Sequence, residues 1–263
     1  MGAAAAGAAA EPVGALLSSW RRRRRLTQLE LSLRAGVSTR HLSFIETGRS
    51  LPTSDMILLL SEQLDIPLRE RNALLLAGGY APAYPQHRLS DPPLAAVNDA
   101  INRILAAHAP YPALVIDRHW DLVAANAAVD LLTAGSAPHL LEPPVNVLRL
   151  SLHPDGMASR IVNLGQWCAH VLERLAREIS GTADAELVRL RDELTGYPAH
   201  DLVAGSDPTG LVVPLRIRTP AGELSVLSTT TVFGTPRDVT VAELAIESFY
   251  PTDRSSAEIL RRR

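Results

Sequence analysis

Between Leu26 and Pro52 the chain reads L-T-Q-x-E-L-x-x-x-A-G-V-S-x-x-x-L-S-x-I-E-x-G-R-x-x-P, and its capping residues leave little choice of fold. Thr27 and Glu30 form a capping box, so a helix starts at Thr27. Gly36 suits the left-handed position that ends a helix. Only Val37 intervenes before Ser38, a good N-cap for the next helix, which runs to about Thr47 and stops at Gly48. Two short helices joined by such a Gly-containing turn cross at a steep angle. Leu31, Ala35, Val37, Leu42 and Ile45 supply their shared apolar interface. The outer face of the second helix is then left to Thr39, Arg40, Ser43 and Phe44.

Three further helices complete a five-helix domain over residues 13–80. One covers about Val13–Arg24. Another follows Pro52-Thr53-Ser54 and carries Met56, Ile57, Leu59, Leu60 and Leu64. The last, about Leu68–Ala77, ends at Gly78-Gly79. Residues 1–12 read as a flexible tail. The stretch MGAAAAGAAA lacks the basic segment and apolar run of a secretory signal, and Ala6 departs from the lipidation pattern that Gly2 would begin. Residues 81–93 (APAYPQHRLSDPP) are Pro-rich and polar, so the domain boundary falls there, and 94–263 form a second domain.

The net charge of −2 conceals an asymmetry. Residues 1–80 hold 10 arginines against 7 acidic groups, whereas residues 81–263 hold 16 against 21. Within 14–50 there are 8 arginines and only Glu30 and Glu46 opposing them. A basic block on an acidic body implies that one part meets a polyanion. In helix-turn-helix geometry that polyanion is double-stranded DNA, with the helix that begins at Ser38 in the major groove. Arg40 can pair bidentately with guanine and Thr39 can touch a thymine methyl. Gln28, at the start of the preceding helix, and Arg49, beyond the recognition helix, are phosphate candidates. The run Arg21–Arg25 wraps a helix end, so its five charges cannot all face DNA. Leu29 and Leu33 point outward and require a cover: the fifth helix, the second domain or a partner subunit.

The second half differs in pattern. Leu94–Ala107 has helical periodicity. Ala113–Asp117 and Trp120–Ala124 read as a hairpin turning at Arg118-His119. Asn126–Leu132, Arg160–Ile179 and Ala183–Leu194 read as helices. Leu211, Val213, Leu215 and Ile217 alternate, Thr219–Gly222 turns, and Leu224 and Val226 begin a return strand that Ser228, Thr230 and Val232 can continue. The class is therefore α+β with an antiparallel sheet: an early hairpin, middle helices and a late strand pair.

Chemistry-bearing motifs are sparse. The chain has no H-E-x-x-H, C-x-x-C, G-x-S-x-G or Gly-rich phosphate loop, so no catalytic residue, metal or cofactor is assigned. Asp117, His119 and Asp121 alternate along the early hairpin, where a metal site and a solvated face are both open readings. The single cysteine, Cys168, excludes an intramolecular disulfide and fits a reducing cytoplasm. No apolar run reaches the ~18–20 residues of a membrane span.

The motif at Leu26–Pro52 resembles the lambda-repressor/Cro-type (XRE) helix-turn-helix family. That resemblance implies an ion pair between Arg21 and Glu46 at the core of the scaffold, able also to touch phosphate. Beyond the linker, Arg71–Pro82, Tyr111–Ala128, Asn146–Gly156 and Thr231–Pro251 resemble regulators with an MmyB-like, PAS-fold ligand-binding domain. The implied second domain is an antiparallel sheet flanked by helices around an apolar pocket for a small hydrophobic, fatty-acid-like ligand. Trp120, Leu122, Trp167, Leu172, Val213 and Phe249 are candidates for its wall, and Asn126, His170 and Arg174 for its polar anchors. Three readings of this domain stand side by side: a ligand sensor that also dimerises the protein, a dimerisation module with a filled core, and an enzyme.

Overall fold

The computed structural model describes residues 11–197 and 212–262. The chain divides after Gln86 into two compact units, with residues 237–239 grouped with the first.

The first unit consists of α1 (Val13–Arg23), α2 (Gln28–Ala35), α3 (Thr39–Glu46), α4 (Ser54–Gln63) and α5 (Leu68–Ala77). Its caps follow the side-chain chemistry. Thr27 and Glu30 close their box at both hydrogen bonds, and Gly36 ends α2 at φ 67°. Ser38 accepts the His41 N–H at 3.1 Å, and Thr53 accepts that of Met56 at 3.2 Å. Leu17, Leu31, Leu42, Ile45, Ile57 and Leu60 are fully buried in its core. Helix α1 crosses α3 at Gly14, where a Cβ would lie 2.1 Å from the Ile45 carbonyl oxygen.

The second unit runs α6 (Ala95–His108), β1 (Ala113–Ile116), β2 (Leu122–Ala125), α7 (Asp130–Thr133), α8 (Val147–Leu152), α9 (Leu164–Thr182), α10 (Ala185–Thr195), β3 (Leu215–Thr219), β4 (Gly222–Val232), α11 (Val239–Ala242), β5 (Ala245–Pro251) and α12 (Arg254–Arg261). The five strands form one antiparallel sheet in the order β2-β1-β5-β4-β3, the PAS-like arrangement. Leu114, Ile116, Leu215, Ile217, Leu224, Val226 and Phe249 belong to the main core, with residues of α8, α9 and α10. Ala113, Val115 and Ile246 belong to a smaller core with Ile101 and Leu105 of α6.

Three features depart from the sequence reading. The early hairpin and the late pair are joined by β5, which pairs with β1 on one side and β4 on the other. Helix α9 begins at Leu164, not Arg160, because residues 161–163 run along the sheet edge. Ile161 bridges to Ile217, the Val162 N–H donates to the Arg216 carbonyl at 2.7 Å, and the Asn163 amide donates to the Pro214 carbonyl at 2.8 Å. The late strand begins at Leu215. Leu211, expected in it, lies outside the described residues.

Candidate functional site

Arg40 and Arg49 are exposed at the recognition helix. Their guanidinium carbons lie 5.3 and 5.9 Å from the centroid of the Phe44 ring. Both are within cation–π range, so Phe44 acts as a platform that limits where two long cationic side chains can wander. Ser43 is half-buried on the same helix. Thr39 Oγ1 lies 2.9 Å from Ser32 Oγ, whose proton goes to the Leu29 carbonyl. Thr39 is therefore the donor to Ser32, leaving its lone pairs and methyl for other contacts. Ser38 is committed to its cap.

Two candidates turn inward. Arg21 Nε and Nη2 grip Glu46 at 2.6 and 2.7 Å, and Nη1 donates to the Leu26 carbonyl at 2.8 Å. The side chains of this pair are only 12% and 4% exposed. Gln28, expected to offer its amide to phosphate, donates it to Glu46 Oε2 at 2.8 Å. Burial pushes the Glu46 carboxyl up, but its hydrogen bonds from Arg21 and Gln28 outweigh that and hold it below the ordinary carboxylate range. In the arginine run, Arg24 reaches across to the Leu64 and Asp65 carbonyls at 2.7 and 2.8 Å. Arg23 and Arg24 both pack on Trp20. Leu29 and Leu33 are 58% and 73% exposed, so α5 does not cover them.

The second unit holds a partly open cavity of about 90 Å³ between the sheet and the helices. Six candidates converge on it: Trp120, Leu122, Trp167, His170, Arg174 and Phe249. Three do not line it. Asn126 instead ties the chain around β1, donating to the Leu105 and Tyr111 carbonyls at 3.1 and 2.8 Å and accepting the Ala113 N–H at 3.1 Å. Val213 and Leu172 pack, partly buried, against the main core.

Most of the wall is aliphatic; Arg174 and Glu247 form one polar cluster in it, and Thr133, Ser151, His170 and Ser228 are its other polar residues. Arg174 Nη2 donates to Glu247 Oε1 at 2.5 Å and to Thr230 Oγ1 at 3.0 Å. The Thr230 hydroxyl in turn donates to the same Glu247 oxygen at 2.8 Å. The Arg174 guanidinium lies 4.3 Å from the Trp120 ring centroid. Trp120 Nε1 donates to Glu178 Oε2 at 2.8 Å, and Glu178 Oε1 stands 3.5 Å from Arg174 Nε. Burial pushes the Glu178 carboxyl up. Burial, aided by the charges of Arg174 and Arg177, lowers His170, which therefore faces the cavity as a neutral imidazole. Sequence reasoning missed Glu247 and Ser228 of this lining. The available signal was an acid set inside an otherwise apolar strand, A-I-E-S-F-Y.

The hairpin acids serve the turn. Asp117 Oδ1 accepts the His119 and Asp121 N–H groups at 2.8 and 3.0 Å. His119 Nε2 lies 3.0 Å from Asp184, and Asp121 accepts from Asn146 at 3.0 Å. Among the described residues the group with metal-ligand spacing is instead His139, His153 and Asp155. There the Asp155 N–H already donates to His153 Nδ1 at 3.0 Å. Cys168 is buried, which raises its thiol pKa and keeps it unreactive. No helix among the described residues is long and apolar enough to cross a membrane.

A basic helix-turn-helix unit and an α+β unit with an internal cavity define a DNA-binding transcription regulator that carries its own ligand-binding domain. The chain belongs to the family described as MmyB-like transcription regulator ligand binding domain, matched over residues 97–262, and a helix-turn-helix model matches residues 17–71. No curated protein matches the sequence. Among solved structures it is similar to "Structure of an RNA-binding Light-Oxygen-Voltage Receptor", at 14% identity and a TM-score of 0.30, over 94% of this chain and 59% of that one.

Proposed function

We propose that the protein is a homodimeric, sequence-specific regulator whose grip on DNA is set by a small hydrophobic molecule held in the cavity of the second unit. The observation that carries this reading is the cavity itself: largely aliphatic walls with a cluster of charged groups at Arg174 and Glu247, inside a ligand-binding domain. A module serving only for dimerisation calls for a filled core. The walls suit the apolar chain of the fatty-acid-like ligand that the family resemblance implies.

On the DNA side, Arg40 reads a base, Arg49 reaches phosphate, and Thr39, Ser43 and Phe44 make the remaining contacts, while Gln28 is held by Glu46. Two-fold pairing follows from the small surface of one helix-turn-helix, since dimers read half-sites about one helical turn apart. Leu29 and Leu33 are among the exposed apolar positions available to such pairing, with Leu51 and Leu76.

Native mass spectrometry of the purified chain tests both parts together. The expected spectrum shows a dimer with an added mass that is released on denaturation as an apolar small molecule. A monomer at micromolar concentration would sink the dimer. A chain that neither retains nor takes up any apolar molecule would sink the sensor.

A further inference from the structure

The polar end of the cavity carries an asymmetry that bears on its ligand. Glu247 is 5% exposed, and both of its partners, Arg174 and Thr230, bind the same oxygen, Oε1. Oε2 has no hydrogen-bond partner among the described residues, although Glu247 lines the cavity. An ionised carboxylate only accepts hydrogen bonds, so this second oxygen is open to a donor that a ligand brings. The one guanidinium lining this end is already matched by Glu247 at 2.5 Å and faces a second acid, Glu178, at 3.5 Å. The local charge therefore has no positive excess to receive an anion. A ligand carboxylate placed here would bring acceptors toward an acceptor, and it would compete with Glu247 for Arg174.

Building on the proposal that the cavity is the effector site, we infer that it selects an uncharged amphiphile carrying a hydroxyl or N–H donor and discriminates against the corresponding carboxylate. The donor goes to Glu247 Oε2, and His170 and Ser228 are further polar residues of the same lining. Apolar atoms of the ligand then lie against Leu114, Leu148 and Phe249. A cationic head gains from Glu247 and Glu178 but meets Arg174 and the larger desolvation cost of a full charge, which leaves the neutral donor as the best match.

The test uses the full chain with three size-matched probes: benzyl alcohol, benzoate and benzylammonium. Affinity is read from tryptophan fluorescence, since Trp120 and Trp167 line the cavity, and from thermal shift. Benzyl alcohol should bind at least tenfold tighter than either ion. In Glu247→Gln the preference over benzoate should shrink severalfold, with circular dichroism reporting whether the variant folds. If that variant does not fold, the wild-type ranking decides alone. Benzoate or benzylammonium binding as tightly as the alcohol would overturn the selectivity and leave the cavity as the effector site. No response to any of the three would overturn the effector site and the selectivity with it.

Discussion

Glu46 shows how much one buried acid can organise. It closes α3, takes both ends of the Arg21 fork and accepts from Gln28, which binds α1, α2 and α3 through a single carboxylate. Removing one partner of a buried pair leaves the other as an uncompensated charge, so Arg21→Ala should cost about 3–5 kcal/mol in urea unfolding of the helical unit. The pH dependence has a definite sign. Glu46 is held below the ordinary carboxylate range, so near and below that range the unfolded chain binds more protons than the folded one. Its contribution is present above the ordinary carboxylate pKa and is lost as pH falls through the lower, folded value. Acid titration followed by circular dichroism should show this loss, and Glu46→Gln should flatten it. A variant with the wild-type acid slope would refute the assignment. The partnership of Arg21 with Glu46 was implied by the family resemblance. The diversion of Gln28 was not, since its position at a helix start is equally compatible with a free amide.

At the level of the element, α3 carries the DNA proposal. Its ends are set by Ser38 and Gly48, its buried face by Leu42 and Ile45, and its seat against α1 by Gly14. All of this was legible except the seat, which depends on a backbone approach between distant segments. What remains outward is Arg40 and Arg49 about Phe44. Arg40→Ala should weaken binding to a selected operator by about 1–3 kcal/mol and relax preference at one base position, as measured on a randomised-site library. Equal loss on every sequence would make Arg40 a phosphate contact instead. The second unit yielded its early hairpin to two short apolar runs and its late one to alternation, but hid its central strand. Four consecutive residues of β5 are buried, and two of them are Glu247 and Ser248, so neither alternation nor an unbroken apolar run marks the strand. The polar end of the cavity was hidden for the same reason. Only the sheet order brings Glu247 beside Arg174, a residue 73 positions away.

For the whole molecule, the division into two units was signalled by the Pro-rich stretch 81–93, within which the structural boundary at Gln86 falls. Joining a DNA-binding unit to a ligand-binding one matters only if the two equilibria are coupled. A ligand that binds both states equally shifts nothing, however tightly it is held. Where coupling exists it is reciprocal: a molecule that changes operator affinity by some factor must have its own affinity changed by the same factor when operator is bound. Couplings of this kind are typically about 1–3 kcal/mol, or roughly 5–150-fold. The measurement is a closed cycle, with operator titrated in the presence and absence of benzyl alcohol or the molecule released from the purified protein, and that ligand titrated with and without operator. Equal factors on both legs would establish the sensor as a single thermodynamic device. A ligand that fills the cavity while both factors stay at one would separate the two units functionally and reduce the second to dimerisation, whatever its cavity holds.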